Sequence, residues 1–573
     1  MFKRNMRALK NNNLYLWKKM NEIDIESVKK AVEAHLQPGN AIVITYNNVP
    51  LDDINNPYER TKQLWHQMIK SQLVKNDIVF IFGLGLGYII KRAYIETPSR
   101  IVLYEPHVEV LRFAIEYTDL ERELSDPRVL VTDTFEQCSE FVRKKYLSND
   151  KIEVFFNDQY GTFANDELGK FTSNILAACK NKLADIETGY RYRDAWVENI
   201  IKNTFSKSNY YSINFLKNKF EGKTALIIGA GPSLKKDIEK IKVNRNKFVI
   251  IAVNKIYEYL VENGIQPDFT VFIDAEATSF NFKNVIPEHL DTNIIMTLKT
   301  DSFCSRIDAK NTFLIFNNDE TIFSYLHSKM PDMIKLTDFS GTTTGVAYFV
   351  AKILGFEKII FAGLDLAFKS NDEFYANNEK LDIKNGDVII NQANIKKAVY
   401  LEGINGEKLL SREDYAIYAN ELSEIFSCDK TSKIYNLTDF GVKIKGMIYD
   451  DLDNILDDKD KSSIDKILEE LSNKRLSKKQ VIFNETLNKE VLDLIQQCRD
   501  LKETFLTAKK PSSEIIKKIT LAPLLYILVE KDILNLLNRT KEVINMFEFT
   551  LEFKSLCDKA VESIEKIEKF SKQ

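Results

Sequence analysis

Cysteine and histidine are scarce in this sequence. Its 573 residues include six cysteines, none of them in a Cys-x-x-Cys pair, and five histidines. Disulfide frameworks and structural zinc sites need several such residues at short, regular spacing, so the sequence predicts neither. We therefore expect a protein of a reducing compartment.

Long apolar runs and an excess of one charge are missing too. No run approaches the roughly 20 apolar residues that cross a bilayer, and the basic stretch MFKRNMRALKNNN has no apolar signal segment. The net charge is −3, from 80 basic and 83 acidic side chains. This balance does not favour nucleic acid as a partner. We expect a cytoplasmic protein with no membrane span.

The sequence does contain two αβ segments and a helical one, which predicts a multidomain α/β protein. Residues 1–185 alternate strand-like and helical stretches, as in an N-terminal Rossmann-like domain. Residues 186–210 predict a connecting helix, and 211–447 a central, doubly wound, Rossmann-like sheet. Residues 448–573 have no glycine and carry apolar residues at helical spacing, which predicts a C-terminal helical bundle.

The second of five predicted strands in the first domain ends in a glycine turn. In FIFGLGLG, Gly83, Gly85 and Gly87 follow an apolar run, and Glu105 ends the next strand. Such glycines with an acid that can bind a ribose are typical of S-adenosylmethionine-dependent methyltransferases. Because a tight strand-to-helix turn needs glycine for its geometry alone, we favour a scaffold role. The five predicted strands are Ala41–Thr45, Ile78–Phe82, Arg100–Tyr104, Val129–Thr132 and Ile152–Phe156.

A second glycine turn, IIGAGPSLKKDI, begins at Gly229 in the central domain. Leu234 replaces the third glycine of a dinucleotide fingerprint, which disfavours an NAD site. Gly231 is expected to cap the following helix and Pro232 to take its first position. Ser233 then lies in the first turn, where its hydroxyl and backbone N–H groups favour a phosphate. The turn therefore predicts a nucleotide-phosphate site.

Polar residues also follow other predicted strands of the central domain. Asn254 ends VIIAVN, Asp274 and Glu276 end FTVFIDAE, and Gly363 and Asp365 follow IIFA. The carboxyl ends of parallel strands meet at one edge, where doubly wound sheets bind ligands. An amide suits a base edge or a sugar hydroxyl, since it donates and accepts. A helix start adds further hydroxyl and N–H groups, at Ser340, Gly341, Thr342, Thr343 and Thr344.

Together these residues resemble the motility accessory factors, a family of flagellin glycosyltransferases. The resemblance rests on GAGPSL, VNKIYEYLVENGIQPDFTVFIDAE, SGTTTGVAYFVAKILGFEKIIFAGLDLAF and YNLTDFGVKIKG, within residues 220–447. The glycine-turn domain and the helical domain on either side also suit that family. The same core is similar to bacterial sialyltransferases, which bind a CMP-activated nonulosonic acid, and to an archaeal pterin diphosphokinase.

The resemblance implies that the protein transfers pseudaminic or legionaminic acid from a CMP-activated donor to serine or threonine hydroxyls of flagellin. It implies that Asn254 contacts the cytidine or ribose and that Ser340 to Thr344 hold the phosphate. The sialyltransferases use a histidine beyond the Gly-Asp strand as base, but no histidine follows His327 here, so the base does not carry over. The residues implied to line the donor are Gly229, Gly231, Pro232, Ser233 and Gly363.

Carboxyl groups are the remaining candidates for the general base. Asp274, Glu276 and Asp365 each follow an apolar strand, where partial burial raises a carboxyl pKa. A base that takes the acceptor proton contributes a factor of about 10² to 10⁴. Alternatively, Asp274 is a magnesium ligand, since hard carboxylates near phosphates suit that ion. Lys255 and Lys299 are candidates to meet the carboxylate of the sugar.

Two other functions remain open on the sequence. The protein could bind flagellin and aid its export without catalysis, or it could be a methyltransferase centred on Gly83 to Gly87. The N-terminal and C-terminal domains could grip a protein acceptor or form the interface of a homo-oligomer. The sugar and its acceptor residues are not defined by the sequence.

Overall fold

The structure is a computed structural model, and it describes residues 1–37, 41–146, 150–206, 209–276, 289–318, 321–337, 341–369, 375–376, 382–384, 387–391, 394–456, 467, 474–508, 510–539 and 546–572. The chain divides into two compact units. The first is Met1–Gly189 with Leu534–Phe549, and the second is Tyr190–Ile533 with Thr550–Gln573.

The first unit is built around a parallel sheet of four strands in the order β6-β5-β4-β7. Its central strand has the sequence IVFIF and is buried along its whole length, as expected where helices cover both faces of a parallel sheet. Strands β1 to β3 form a separate antiparallel sheet. The strands are β1 (Val32–Leu36), β2 (Ile42–Tyr46), β3 (Val49–Pro50), β4 (Ile78–Phe82), β5 (Arg100–Tyr104), β6 (Val129–Thr132) and β7 (Ile152–Phe156).

Helices connect the strands of the first unit. They are α1 (Phe2–Asn12), α2 (Leu14–Glu22), α3 (Ile25–Ala31), α4 (Pro57–Met68), α5 (Tyr88–Glu96), α6 (Val108–Tyr117), α7 (Glu121–Ser125), α8 (Phe135–Lys145) and α9 (Asn165–Thr204), with a 3-10 helix at Asp158–Thr162. The predicted connecting helix, 186–210, falls largely within α9. Four of the five predicted strands occur at the predicted residues, and the other begins at Ile42 instead of Ala41.

The second unit contains a parallel sheet of nine strands in the order β22-β21-β16-β9-β10-β11-β12-β13-β8. The chain adds strands outward from β9 in one direction and from β16 in the other, so the order reverses between them. The strands of the large sheet are β8 (Tyr210–Ser212), β9 (Thr224–Ile228), β10 (Val249–Val253), β11 (Phe269–Phe272), β12 (His289–Met296), β13 (Asp308–Leu314), β16 (Lys358–Ala362), β21 (Lys433–Asn436) and β22 (Ile448–Tyr449). The described part of the second unit also contains strands that belong to smaller sheets: β14 (Phe316–Asn317), β15 (Leu336–Thr337), β17 (Asp382–Lys384), β18 (Asp387–Asn391), β19 (Asn394–Glu402) and β20 (Lys408–Arg412).

Helices cover both faces of the nine-stranded sheet, which makes it doubly wound. Ile227 and Ile251 pack in the core that contains α13, whereas Leu226 and Ile250 pack in the core that contains α10. The helices that follow α9 along the chain, whether or not they pack on this sheet, are α10 (Leu234–Val243), α11 (Tyr257–Glu262), α12 (Thr321–Lys329), α13 (Thr343–Leu354), α14 (Glu413–Cys428), α15 (Leu452–Ile455), α16 (Lys474–Leu506), α17 (Ser513–Thr520), α18 (Pro523–Arg539) and α19 (Met546–Phe570), with 3-10 helices at Ile213–Leu216, Arg245–Lys247, Asn254–Ile256 and Cys304–Arg306.

A helix from the C-terminal segment closes one edge of this sheet. Strand β8 is an edge strand, and an unpaired edge invites association with other chains. The Asn484 side chain on α16 accepts a hydrogen bond from Tyr210 N–H at 3.1 Å and donates one to Tyr210 O at 2.9 Å. The α16 side chain Phe483 stacks edge-on against Phe215 and Phe316. Helix α16 therefore covers the edge strand β8 and supplies hydrogen bonds to Tyr210 that a further strand would otherwise make.

The predicted fold class is confirmed: the chain is a multidomain α/β protein with a doubly wound central sheet, an N-terminal α/β unit and C-terminal helices. The sequence missed a four-stranded antiparallel sheet, in the order β17-β18-β19-β20. Two Asn-Gly dipeptides in the sequence, at 385–386 and 405–406, are a typical signal of β-hairpins and could have indicated it. Within the described residues, no helix has both the length and the apolarity needed to span a bilayer.

Candidate active site

The glycine turn after β9 is fastened to the turn after β16, on the two strands that flank the reversal of strand order. Gly229 N–H donates to Ala362 O at 2.8 Å, and Gly231 N–H donates to Gly363 O at 2.9 Å. A Cβ atom at Gly229 would lie 2.5 Å from the Gly363 carbonyl oxygen. Gly363 has φ +67°, a left-handed conformation that favours glycine. Contact between two backbones, at the place where such sheets bind ligands, requires these glycines.

The helix after this turn begins later than the sequence indicated. The cap was expected at Gly231 and the first helical position at Pro232, but α10 starts at Leu234 with Ser233 as its N-cap residue. Leu234 N–H donates to Gly231 O at 3.2 Å, and Lys235 N–H donates to Pro232 O at 3.4 Å. These bonds span three residues each, so a tight turn precedes the helix.

Asp365 occupies the position that the sequence assigned to a phosphate. Its Oδ2 accepts a hydrogen bond from Ser233 N–H at 2.8 Å, and its Oδ1 accepts one from the Ser233 hydroxyl at 2.5 Å. Both residues are buried. Burial raises the pKa of Asp365 to about 6, although the hydrogen bonds from Ser233 and Thr438 favour its ionised form. The two donors that Ser233 was expected to offer to a ligand are therefore used by Asp365, which acts as a pin between the two turns.

Asn254 and Asp274 lie together at the ends of the neighbouring strands β10 and β11. Asn254 is 3% exposed, and its Nδ2 has no hydrogen-bond partner of ordinary geometry within the described part of the chain. Burial raises the pKa of Asp274, whereas the nearby Asn254 amide and Lys255 charge favour its ionised form. A buried amide donor beside a carboxyl group of raised pKa is an arrangement that can bind a polar ligand and move a proton.

Glu276 differs from Asp274 because it is exposed to solvent. The loop that carries both residues is held by Asn199 of α9, whose Nδ2 donates to Ala275 O at 2.9 Å and to Lys299 O at 3.0 Å. Lys299 Nζ lies 3.5 Å from the centre of the Trp196 ring. Asn199 therefore fixes the loops after β11 and β12 to one helix.

The start of α13 supplies backbone donors to the same edge of the sheet. The Thr342 hydroxyl caps the helix by accepting a hydrogen bond from Gly345 N–H at 2.9 Å. Gly341 N–H donates to Glu421 Oε2 at 3.2 Å. Thr343 and Thr344 form the first turn and are partly buried. Ser340, also predicted to bind the phosphate, lies outside the described residues.

Sequence reasoning missed a cationic and aromatic group near the pin. Arg412 ends β20, is 8% exposed and pairs through Nε with Asp414 Oδ1 at 2.7 Å. Its guanidinium carbon lies 4.1 Å from the centre of the Tyr415 ring. Tyr375 interacts electrostatically with Arg412, and Lys255 Nζ lies 5.2 Å from the centre of the Tyr375 ring. Arg412, Tyr415 and Tyr375 come from the antiparallel sheet and the chain around it, which the sequence did not predict. Lys255 follows β10 and is one of the residues predicted to meet the sugar carboxylate.

The first glycine turn is filled by side chains of its own unit. The Tyr160 hydroxyl donates to Glu105 Oε2 at 2.5 Å and accepts a hydrogen bond from Gly85 N–H at 3.2 Å. Leu84 N–H also donates to Glu105, at 2.7 Å. Burial raises the pKa of Glu105, and of Asp52 beside Gly85, to about 7. The acid expected to bind a ribose is thus used internally, which supports the scaffold interpretation of this turn.

The acids of the large sheet do not converge on a magnesium site. Asp365 accepts hydrogen bonds from Ser233 through both oxygens, and Asp274 has the cation Lys255 beside it. Among the residues that the structure describes, no group of three or more His, Cys, Asp or Glu side chains is placed to hold a metal ion. Magnesium binding by Asp274 together with substrate phosphates stays a prediction.

Comparison with known proteins agrees with this architecture. A family model described as 6-hydroxymethylpterin diphosphokinase MptE-like matches residues 198–371. The solved structure of a MAf glycosyltransferase from Magnetospirillum magneticum AMB-1 matches with a TM-score of 0.54 and 16% identity, covering 100% of this chain and 94% of that one. An uncharacterized protein of Treponema pallidum (strain Nichols) is 41% identical over 56 residues, which are 10% of this chain and 27% of that relative. The chain thus matches about a quarter of that relative's length.

The matched family segment contains the glycine turn, Asn254 and Asp365, so it covers the centre of the candidate site. It also confirms the similarity to pterin diphosphokinases that the sequence indicated. The resemblance to the motility accessory factors is confirmed at the level of fold, since the chain has, over its whole length, the fold of a MAf glycosyltransferase.

Proposed function

We propose that the protein is a glycosyltransferase that moves a nonulosonic acid, of the pseudaminic or legionaminic acid type, from a CMP-activated donor to serine or threonine hydroxyls of flagellin. The fold and the motifs within residues 220–447 support this activity. The observation that carries the proposal is the buried Asn254 amide beside Asp274: within the described residues its Nδ2 makes no hydrogen bond of ordinary geometry, although it lies close enough to the Asp274 carboxyl group to lower the pKa of that group.

A ligand would satisfy the Asn254 amide. A buried donor without a partner costs about 1–3 kcal/mol, and native proteins contain few of them. The amide N–H suits an acceptor such as the cytosine carbonyl or a ribose hydroxyl. A hydrogen bond from the Asn254 amide to the CMP moiety would offset this cost, which favours binding of the nucleotide at this strand end.

Departure of CMP needs stabilisation of its phosphate. The bond between the anomeric carbon and the phosphate oxygen breaks, and its electron pair stays on the phosphate. In this proposal the first-turn N–H groups of α13, at Thr343 and Thr344, and the positive end of its dipole meet that charge. Ser233 does not take this role, because its N–H and hydroxyl hold Asp365.

Asp274 is the proposed general base. Its carboxylate takes the proton of the acceptor hydroxyl while the hydroxyl oxygen bonds to the anomeric carbon. The raised pKa of Asp274 brings its basicity closer to the working pH, which improves proton transfer. Asp365 is a weaker candidate for the base because both of its oxygens accept hydrogen bonds from Ser233. Glu276 is a weaker candidate because it is exposed to solvent.

Transfer to purified flagellin tests the proposal directly. The enzyme is incubated with flagellin and with CMP-pseudaminic or CMP-legionaminic acid, and the mass of flagellin is measured. The comparison pairs Asn254→Ala with Asn244→Ala, whose amide donates to Lys240 O at 2.9 Å, at the end of its own helix. We expect sugar transfer by the wild type and by the Asn244 variant, and a loss of at least about tenfold for Asn254→Ala. Unchanged transfer by Asn254→Ala would contradict the assigned site, and no transfer by wild type would favour a non-enzymatic role.

A further inference from the structure

A buried arginine lies close to the proposed donor site. Arg412 is 8% exposed, pairs with Asp414 and packs on the Tyr415 ring at 4.1 Å. Tyr415 in turn interacts electrostatically with Asp365, the acid that pins the glycine turn. The Ser411 hydroxyl, next to Arg412 in the chain, donates to Leu366 O at 2.7 Å, so the buried Arg412 lies near the turn after β16 and the reversal of strand order.

Tyr375 links this arginine to the other side of the site. Ala376 N–H donates to Ala230 O at 2.9 Å, so the segment with Tyr375 lies against the glycine turn. The Tyr375 hydroxyl hydrogen-bonds the Tyr415 side chain. Lys255 Nζ, adjacent in sequence to Asn254, lies 5.2 Å from the Tyr375 ring centre. The cations Arg412 and Lys255 therefore both interact with Tyr375, whose segment lies against the glycine turn after β9.

We propose that Arg412 binds the carboxylate of the donor sugar and so selects an acidic sugar over a neutral one. This inference rests on the proposed function, because it identifies a part of the same donor site. A guanidinium group holds its charge when buried and offers parallel N–H groups that match a carboxylate. In surroundings of low dielectric such a contact is stronger than in water.

The charges of the donor match the two cations. A CMP-nonulosonic acid carries one negative charge on the phosphodiester and one on the sugar carboxylate. Lys255 lies beside Asn254 and Asp274, at the nucleotide and base end of the site, and Arg412 interacts with the same Tyr375 from the end of β20. A neutral sugar would leave the arginine without its ligand and is rejected for that reason.

A simple structural role is a weaker explanation of Arg412. Its pair with Asp414 is local, two residues along the chain. Buried ion pairs contribute little net stability, because desolvation offsets most of their attraction. Arg245 shows the purely structural alternative: it pairs with Asp268 at 2.6 Å and bonds Gln266 O at the amino end of β11, the opposite edge of the same sheet.

Calorimetric titration with two probes tests the inference. CMP reports the nucleotide contact, and CMP-N-acetylneuraminic acid adds a sugar with the same anomeric carboxylate. We expect wild type to bind the CMP-sugar at least about tenfold more tightly than CMP. Arg412→Gln should bind CMP normally and lose about 10- to 100-fold in affinity for the CMP-sugar. Arg412→Lys should lose part of that factor, and Arg245→Gln none.

The possible outcomes separate the two proposals. An Arg412→Gln variant that keeps the wild-type ratio of affinities, or that loses both probes equally, overturns the carboxylate contact, as does a wild type that binds both probes alike. If Arg412→Gln does not fold, an unchanged ratio in Arg412→Lys has the same meaning. Wild type that binds neither probe refutes the proposed donor and, with it, this inference.

Discussion

Replacement of Asp365 by asparagine is expected to stabilise the second unit above pH 6. Burial raises the pKa of Asp365 to about 6, whereas an aspartate in an unfolded chain titrates near 4. The folded state therefore holds the proton more tightly, so the stability linked to this group is fully present below about pH 4 and is lost as pH rises through about 6. A gap of two pKa units corresponds to about 3 kcal/mol of unfolding free energy at pH 8.

Asparagine can keep both contacts with Ser233 without a charge. Its side-chain oxygen accepts the Ser233 N–H, and its amide N–H donates to the Ser233 hydroxyl oxygen after that hydroxyl rotates. At pH 8 the free energy of unfolding should rise by up to about 3 kcal/mol, and at pH 4 it should change little. Asp365→Ala is the matched control: it leaves Ser233 N–H buried without an acceptor and costs about 1–3 kcal/mol at pH 4. Because alanine also removes the titrating carboxyl group, that cost should fall by up to about 3 kcal/mol at pH 8, so Asp365→Asn should remain more stable than Asp365→Ala at both pH values.

The assay is guanidinium chloride unfolding at pH 4 and pH 8. Trp196 reports on the second unit when the other two tryptophans, Trp17 and Trp65, are replaced by phenylalanine in every variant. A variant Asp365→Asn that is less stable than its parent at pH 8, or whose difference from it is the same at both pH values, refutes the reasoning. Sugar transfer to flagellin, measured in parallel on Asp365→Asn, should fall less than about tenfold, since Asp365 is not the proposed general base. A larger loss, of the factor of about 10² to 10⁴ expected when a general base is missing, would restore Asp365 as a candidate for that role.

Three other predictions follow from the site and the two turns. Asp274→Asn should lower transfer by about 10² to 10⁴ while calorimetry still detects CMP binding, and Glu276→Gln should have little effect, so equal losses would contradict the assignment of the base. Gly363→Ala should cost more than about 1 kcal/mol in denaturant unfolding, because a Cβ there meets a carbonyl oxygen at 2.7 Å with φ +67°, and wild-type stability would disprove the turn contact. The first unit should lose stability as pH rises from about 4 through 7, since the pKa values of Asp52 and Glu105 are raised to about 7. Hydrogen exchange of the β4 amides, corrected for intrinsic rates, should therefore show less protection at pH 8 than at pH 6. Equal protection at the two pH values would refute this prediction.

The strands could be predicted because buried parallel strands have a clear sequence signal. Ile78–Phe82 is apolar throughout and begins and ends where the sequence indicated. The rule that ligands meet the carboxyl ends of such strands then identified Asn254 and Asp274, which the structure places side by side. Local pattern and topology were enough for these residues.

The pin could not be predicted, because its two partners are 132 residues apart. Ser233 has the appearance of a phosphate ligand when only its own turn is considered, and Asp365 that of a catalytic acid. Only the adjacency of β9 and β16 shows that each is the partner of the other. Arg412 was missed for a different reason: it belongs to an antiparallel sheet within a segment that follows a strong αβ rhythm.

The pin between Ser233 and Asp365 also has a consequence for how this protein can diverge. A substitution that removes the hydrogen-bonding group of either residue leaves the other with an unmatched buried group, so the two loops should be inherited as a linked pair, and such a change in one should be accompanied by a change in the other. Among the hydrogen bonds named above, within the described part of the chain, none joins Ser233 or Asp365 to the side chain of Asn254 or Arg412. Adaptation to a new donor sugar should therefore proceed through those positions while the paired loops stay constant.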